Sequence, residues 1–150
     1  MRLLNLALAA EIVGRQRYTV HSAAAARGHD HDVAADFLQH AAEKQRHAEQ
    51  LTRRIVELGG EPELDPLPRE PRNAPPSSEA YELPELVREN VVAECVVIDT
   101  YAEMIGCLKG ADAATRNLLE ELLVLGEAQG IRLIRLLRAV GPKRLGYVLG

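Results

Sequence analysis

One stretch of the chain, between Phe37 and Leu51, brings carboxylates and imidazoles together. His40, Glu43 and His47 are spaced three and four residues apart. On a helix that advances roughly 100° per residue, these three side chains fall within about 60° of one another. Such a stripe could present several ligands for a metal ion on one helix face, so it is the first candidate for a functional site.

Three other apolar stretches each carry one acid in the middle, namely Glu11, Glu94 and Glu127. Two of these acids are followed seven residues later by a tyrosine, Tyr18 after Glu11 and Tyr101 after Glu94. Seven residues are close to two helical turns, so each pair lies on one helix face. Four helices that direct acids and a histidine inward predict a metal site in the core of a bundle.

The composition favours a soluble all-α protein. The chain has 150 residues, of which 47% are apolar and 27% charged, and only 3% are aromatic. The low aromatic content argues against a sheet protein, whereas the many Ala, Leu, Glu and Arg residues favour helix. With a net charge of -4 the sequence offers no basic patch for nucleic acid. We expect one domain over residues 1–150.

The compartment is predicted to be the cytoplasm. Cys95 and Cys107 lie on one predicted helix, about 18 Å apart along its axis, which is too far for a disulfide. The apolar N-terminal run is interrupted by Asn5 and followed by Glu11 and Arg15. It therefore fits neither a signal peptide nor a membrane span.

The hydrophobic pattern predicts four helices, at about residues 2–27, 32–58, 84–109 and 112–140. Six prolines between residues 61 and 80 exclude helix there. A connection of that length is needed when the second and third helices run parallel, because it must cross the whole bundle. The sequence thus predicts a four-helix bundle with a long crossover and a short helical turn within residues 143–150.

In two of the predicted helices, residue spacing predicts which side chains face the core. In the first helix the stripe is Leu4, Ala7, Leu8, Glu11, Gly14, Tyr18 and Ser22. In the fourth helix it is Leu119, Leu123, Glu127, Ile131, Ile134 and Leu137.

Several segments of the sequence resemble bacterioferritins, within the ferritin-like superfamily. They are Leu4-Asn5 leading to Glu11, Tyr18-Thr19-Val20-His21, His47-Ala48-Glu49, and Glu57 to Pro62. The resemblance covers nearly the whole chain, including the crossover. It implies a ferritin-like bundle that forms a homodimer, and from it a larger shell, with iron as the associated metal.

The resemblance also implies a di-iron centre whose ligands come from all four helices. One Glu comes from the first helix, a Glu-x-x-His from the second, one Glu from the third and a Glu-x-x-His from the fourth. The matching positions here are Glu11, Lys44, His47, Glu94, Glu127 and Gly130. Lys44 and Gly130 are not ligands, so the implied metal set is reduced to Glu11, His47, Glu94 and Glu127.

Two arrangements of the second helix remain open. In one, the ammonium of Lys44 is buried among the three acids and compensates their charge without metal, with a contribution from Arg15. In the other, a bulge rotates Glu43 inward and creates a mononuclear or altered metal site.

The tyrosines, the other histidines and the haem position follow the same reasoning. Tyr18 and Tyr101 match tyrosines near the metal in the family, and the alternative is that they are core rings bonded to a carboxylate. His21 and His40 are expected to be partly exposed, and His29 and His31 to lie in a turn. Bacterioferritins bind haem through a Met on the second helix. The matching residue is Gln45, and the only methionines are Met1 and Met104, so no haem is expected.

Three functions are compatible with this pattern. The first is an iron-binding or iron-storage subunit with a degraded ferroxidase centre, alone or in a mixed shell with a ferroxidase-competent subunit. The second is a metal-free structural or interaction protein that retains the fold. The third is a ferritin-like oxidase with an altered metal site.

Overall fold

The structure, a computed structural model, describes residues 1–65, 82–108, 110 and 112–141. It contains four helices, α1 (Arg2–Arg27), α2 (His31–Glu57), α3 (Leu83–Cys107) and α4 (Ala113–Val140). There is no strand among the residues it describes, so the all-α prediction is confirmed. Residues 66–81 of the predicted crossover and the turn predicted within residues 143–150 lie outside the described residues.

Local signals in the sequence explain where the helices begin and end. α1 stops at Gly28, and His29 then takes a left-handed φ of 67° to turn the chain toward α2. α2 is followed by Gly59 at a φ of 81°, a conformation in which glycine pays no Cβ penalty. α4 is capped by Asp112, whose carboxylate accepts a 2.8 Å hydrogen bond from the backbone N–H of Thr115.

Contacts between the helices fix their directions. α1 and α2 are joined by a tight turn and form a hairpin. α3 runs antiparallel to α1. Glu94 of α3 contacts Tyr18 in the second half of α1, whereas Tyr101, farther along α3, contacts Glu11 in the first half of α1. α2 and α3 both run against α1 and are therefore parallel to each other.

α4 completes the bundle against α2 and α3. Arg54, near the end of α2, pairs with Asp112 at the start of α4, whereas Glu43 pairs with Arg132 farther along α4. The two helices are therefore antiparallel. Since α2 and α3 run parallel, the chain between them joins opposite ends of the bundle, which is the connectivity predicted from the proline-rich stretch. None of the helices in the described part of the chain has the length and apolar content of a membrane span.

The core consists of two apolar clusters with a layer of polar side chains between them. All seven residues of the predicted α1 stripe are buried. One cluster is built around Leu8, Leu51, Ile55 and Leu119, the other around Phe37, Leu86, Val87 and Leu133. The charged residues buried between them are Glu11, Lys44 and Glu94.

Candidate functional site

The centre of the polar layer is the ammonium of Lys44. Its Nζ lies 3.1 Å from Oε1 of Glu94 and 3.9 Å from Oε1 of Glu11. All three residues are buried, with exposed fractions of 1% for Lys44, 1% for Glu11 and 0% for Glu94. In so dry a setting an unpaired charge would cost several kcal/mol, so the lysine and the two acids depend on one another.

Each carboxylate is also held by a tyrosine. The hydroxyl of Tyr18 donates a 2.7 Å hydrogen bond to Glu94, and the hydroxyl of Tyr101 donates a 2.9 Å bond to Glu11. Burial and the neighbouring carboxylates raise the pKa of both tyrosines. Both phenols therefore keep their protons and act as donors at neutral pH.

His47 is the second nitrogen partner of Glu11. Its Nδ1 lies 3.0 Å from Oε1 of Glu11. Burial alone would raise the pKa of Glu11, but the His47 hydrogen bond and the charge of Lys44 outweigh it and hold that pKa below its ordinary value. An ionised carboxylate can only accept, so the proton in this hydrogen bond sits on Nδ1 of His47.

The stem of Lys44 crosses the bundle next to Gly14 of α1. A Cβ atom at position 14 would stand 3.3 Å from both Cδ and Cε of Lys44. That is tighter than an ordinary contact, so the glycine provides the space through which the lysine enters the core.

Glu43 does not reach this cluster. α2 is a continuous α-helix from His31 to Glu57, and neighbouring residues of such a helix point about 100° apart. With Lys44 inward, Glu43 faces α4, where it accepts hydrogen bonds from Gln129 and Arg132. The bulged arrangement that would turn Glu43 into the core is therefore wrong.

The prediction that Glu127 of α4 points into the core is also wrong. The buried residues of α4 are Thr115, Leu119, Leu122, Gly126, Gln129 and Leu133. Leu119 is shared with the predicted stripe, and beyond it the buried residues lie one or two positions earlier than predicted. Glu127 is consequently exposed and lies outside the cluster. Gly130 packs toward α3, where a Cβ would lie 3.7 Å from Cδ1 of Ile98.

Arg15, expected to assist Lys44, lines a surface groove between α1 and α2 together with Gln45 and Glu49. Among the described residues, no contact joins Arg15 to Glu11 or Glu94.

Cys95 and Cys107 are exposed free thiols.

The expectation that His21 and His40 are partly exposed is wrong, since they are only 5% and 6% exposed. The ring of His40 stacks on Tyr18 with centroids 5.0 Å apart. Nδ1 of His21 accepts a hydrogen bond from the side-chain amide of Asn90, and burial together with Arg17 lowers the pKa of His21 to about 4. Both rings fill space beside Phe37 and Tyr18, a role that periodicity alone does not reveal.

Few side chains of the cluster could serve as metal ligands. Glu11, Glu94 and His47 are its only carboxylates and imidazole, and α4 presents Gly126 and Gln129 instead of an acid and a histidine. Within the described ranges no group of three or more His, Cys, Asp or Glu side chains is arranged to hold a metal ion. The position between the two carboxylates is taken by the ammonium.

Comparison with known proteins agrees with this architecture. A sequence model described as "Ferritin-like domain", of the Ferritin family, matches residues 1–128. Among solved structures, a Rhodobacter capsulatus bacterioferritin has a TM-score of 0.79 and 24% identity, covering 95% of this chain and 87% of that chain. That bacterioferritin is described with a metal-free dinuclear site and a haem iron. A search of curated proteins finds no match.

Proposed function

The chain belongs to the Ferritin family, and from this premise we propose that it is an iron-associated, bacterioferritin-like subunit that does not itself oxidise iron. The observation that carries the proposal is the buried ammonium of Lys44, 3.1 Å from Glu94 and 3.9 Å from Glu11. In this proposal the lysine takes the place of metal as the partner of the two acids.

The charges and the number of metal donors in the cluster support this proposal. Two buried carboxylates require compensation, and here Lys44 and the donor His47 supply it. A dinuclear carboxylate centre draws acids and histidines from four helices. Only Glu11, Glu94 and His47 remain as donors, and none comes from α4, so the residues present do not fit a two-iron centre.

In this role the subunit supplies the bundle from which an iron-storing assembly is built. We propose that it forms a homodimer and larger shells, and that a ferroxidase-competent subunit in a mixed shell carries out oxidation. No haem is proposed, because Gln45 of α2 donates to Glu49 and offers no thioether. Exposed Cys95 and Cys107 are in keeping with a reducing cytoplasm.

The test is aerobic Fe(II) oxidation followed by absorbance. The unmodified protein should oxidise iron at the rate of buffer alone. A rebuilt variant, Lys44→Glu with Gly126→Glu and Gln129→His, restores the acid and the histidine positions that face the core. Position 126 can accept a side chain, because a Cβ there would lie 3.7 Å from the nearest atom, Cγ1 of Ile98.

Arg46→Glu is the matched control. It makes the same kind of charge change on α2, but the Arg46 side chain is 63% exposed, so this variant should stay inactive. Rapid oxidation by the unmodified protein would refute the proposal. If the rebuilt variant folds but remains inactive, the missing ligands do not explain why the unmodified protein fails to oxidise iron.

A further inference from the structure

A stripe of exposed side chains runs along the solvent side of α4. It consists of Val124, Glu127, Ile131, Ile134 and Arg138, and we name it the outer α4 stripe. Its three apolar residues, Val124, Ile131 and Ile134, are 62%, 53% and 40% exposed. The proposed function uses none of the five residues.

The spacing of the outer α4 stripe is that of a contact between two helices. Its residues follow one another at alternating steps of three and four. Such a repeat keeps side chains on one face of a helix, and it is the spacing at which a second helix packs in a coiled coil. The core side of α4 is formed by other residues, including Leu122 and Leu133. α4 therefore has one face for its own bundle and a second face with the spacing of a helix–helix contact.

The charges of the outer α4 stripe are separated along the helix. Glu127 comes before the two isoleucines and Arg138 follows them. In the part of the chain that the structure describes, neither Glu127 nor Arg138 forms a salt bridge or a side-chain hydrogen bond. Two such stripes are complementary when they run antiparallel, because each acid then meets a base. In a parallel pair like charges would meet, which is unfavourable.

We propose that two copies of the chain pack their outer α4 stripes against each other, antiparallel and around a two-fold axis. Ile131 of one copy then meets Ile134 of the other, and Glu127 of one copy meets Arg138 of the other. Both pairs have the same midpoint on the helix, between residues 132 and 133, so one register satisfies them together. Each contact occurs twice, as a two-fold axis requires. Four isoleucines form the apolar centre, and an ion pair lies at each end of it.

This contact rests on the homo-oligomer of the proposed function and names one surface that builds it. It involves none of the residues around Lys44, so it does not depend on iron chemistry. Iron oxidation and association are measured separately, and either result can fail without the other.

The first test is sedimentation velocity of charge-reversal variants at micromolar concentration. Glu127→Arg and Arg138→Glu should each lower the mass of the assembly to about half or less, because each places like charges together at both ends of the contact. Combining the two changes in one chain, or mixing the two single variants, restores opposite charges and should recover the mass. Glu121→Arg is the matched control, since it reverses the charge of an exposed α4 residue outside the stripe. It should leave the mass unchanged.

The second test identifies the contact by a zero-length cross-link. Arg138→Lys keeps the charge and supplies an amine that a carbodiimide can join to the carboxylate of Glu127. On a single α4 helix these two positions are about 16 Å apart, so the link can form only between two copies. Mass spectrometry should find peptides joined at positions 127 and 138, and adding Glu127→Gln should remove them.

All of the substituted side chains are exposed, so the variants change the contact rather than the core. The proposal is overturned if the unmodified protein is a monomer at micromolar concentration or if Glu127→Arg keeps the full mass. It is also overturned if the associated Arg138→Lys variant gives no link to Glu127. A link from the new amine to a different acid would mean that another surface covers the stripe, and would equally overturn it.

Discussion

Lys44 is the buried cation that pairs with both Glu11 and Glu94. Replacing it with Met keeps much of its length but leaves Glu11 and Glu94 without a cation. We expect Lys44→Met to cost on the order of 3 kcal/mol in denaturant unfolding, as is typical when one partner of a buried pair is lost. Arg46→Met, with its side chain 63% exposed on the same helix, should change stability by less than about 0.5 kcal/mol. Equal, small effects would contradict the role given to Lys44.

His21 makes the stability of the protein dependent on pH. Burial and Arg17 lower its pKa from 6.5 to about 4 despite the nearby carboxylate of Glu89. Between these values the unfolded chain binds a proton that the folded ring does not, so stability falls as the pH drops from 6.5 to about 4. Unfolding measured across this window should show a shallower decline for His21→Gln. The exposed-histidine control His31→Gln should keep the full decline, and a His21→Gln profile identical to it would contradict the assignment.

The hydrogen bonding of the tyrosines shows what residue spacing could not reveal. Along the chain Glu11 pairs with Tyr18 and Glu94 with Tyr101, each within one helix. In the structure the pairs are crossed, because Tyr18 bonds Glu94 and Tyr101 bonds Glu11. Spacing predicts which face a residue occupies, but the neighbouring helix decides which group it meets.

Between elements, the contact of α1 with α2 is set by Gly14 and Lys44. A glycine inside a helix is about 1 kcal/mol less favourable than alanine. Gly14→Ala should gain little in the unmodified protein, because the new Cβ meets Cδ and Cε of Lys44 at 3.3 Å.

In a Lys44→Ala background this obstacle is absent, so Gly14→Ala should stabilise the protein. A double-mutant cycle by urea unfolding should give a coupling of about 1 kcal/mol. Strictly additive changes would mean that the glycine does not make room for the lysine.

The registers of α1 and α4 differ in how well the sequence predicts them. All seven residues of the predicted α1 stripe are buried, although Ile12, His21, Ala24 and Ala25 are buried beside them. α4 carries apolar residues on several faces, and Val124, Leu125, Ile131 and Ile134 are all exposed. Two neighbouring registers therefore fit its pattern equally well. Packing on α2 and α3 selects the one that buries Gly126 and Gln129, and this moves Glu127 to the surface.

For the whole molecule, the distribution of apolar side chains predicts self-association. Large apolar residues are more than 45% exposed on all four helices, including Leu6, Leu38, Val92 and Val124. Apolar surface left on two sides of a bundle favours a symmetric partner. Light scattering on a dilution series should therefore show a dimer or a larger assembly, and a monomer at micromolar concentration would refute this prediction.

The most direct test of the account is a crystal structure of the protein soaked with Fe(II) or Zn(II), with metal located by anomalous scattering. We expect no metal peak between Glu11 and Glu94, and we expect Nζ of Lys44 to remain within hydrogen-bonding distance of Glu94. A metal ion bridging the two carboxylates, with the lysine displaced, would contradict it.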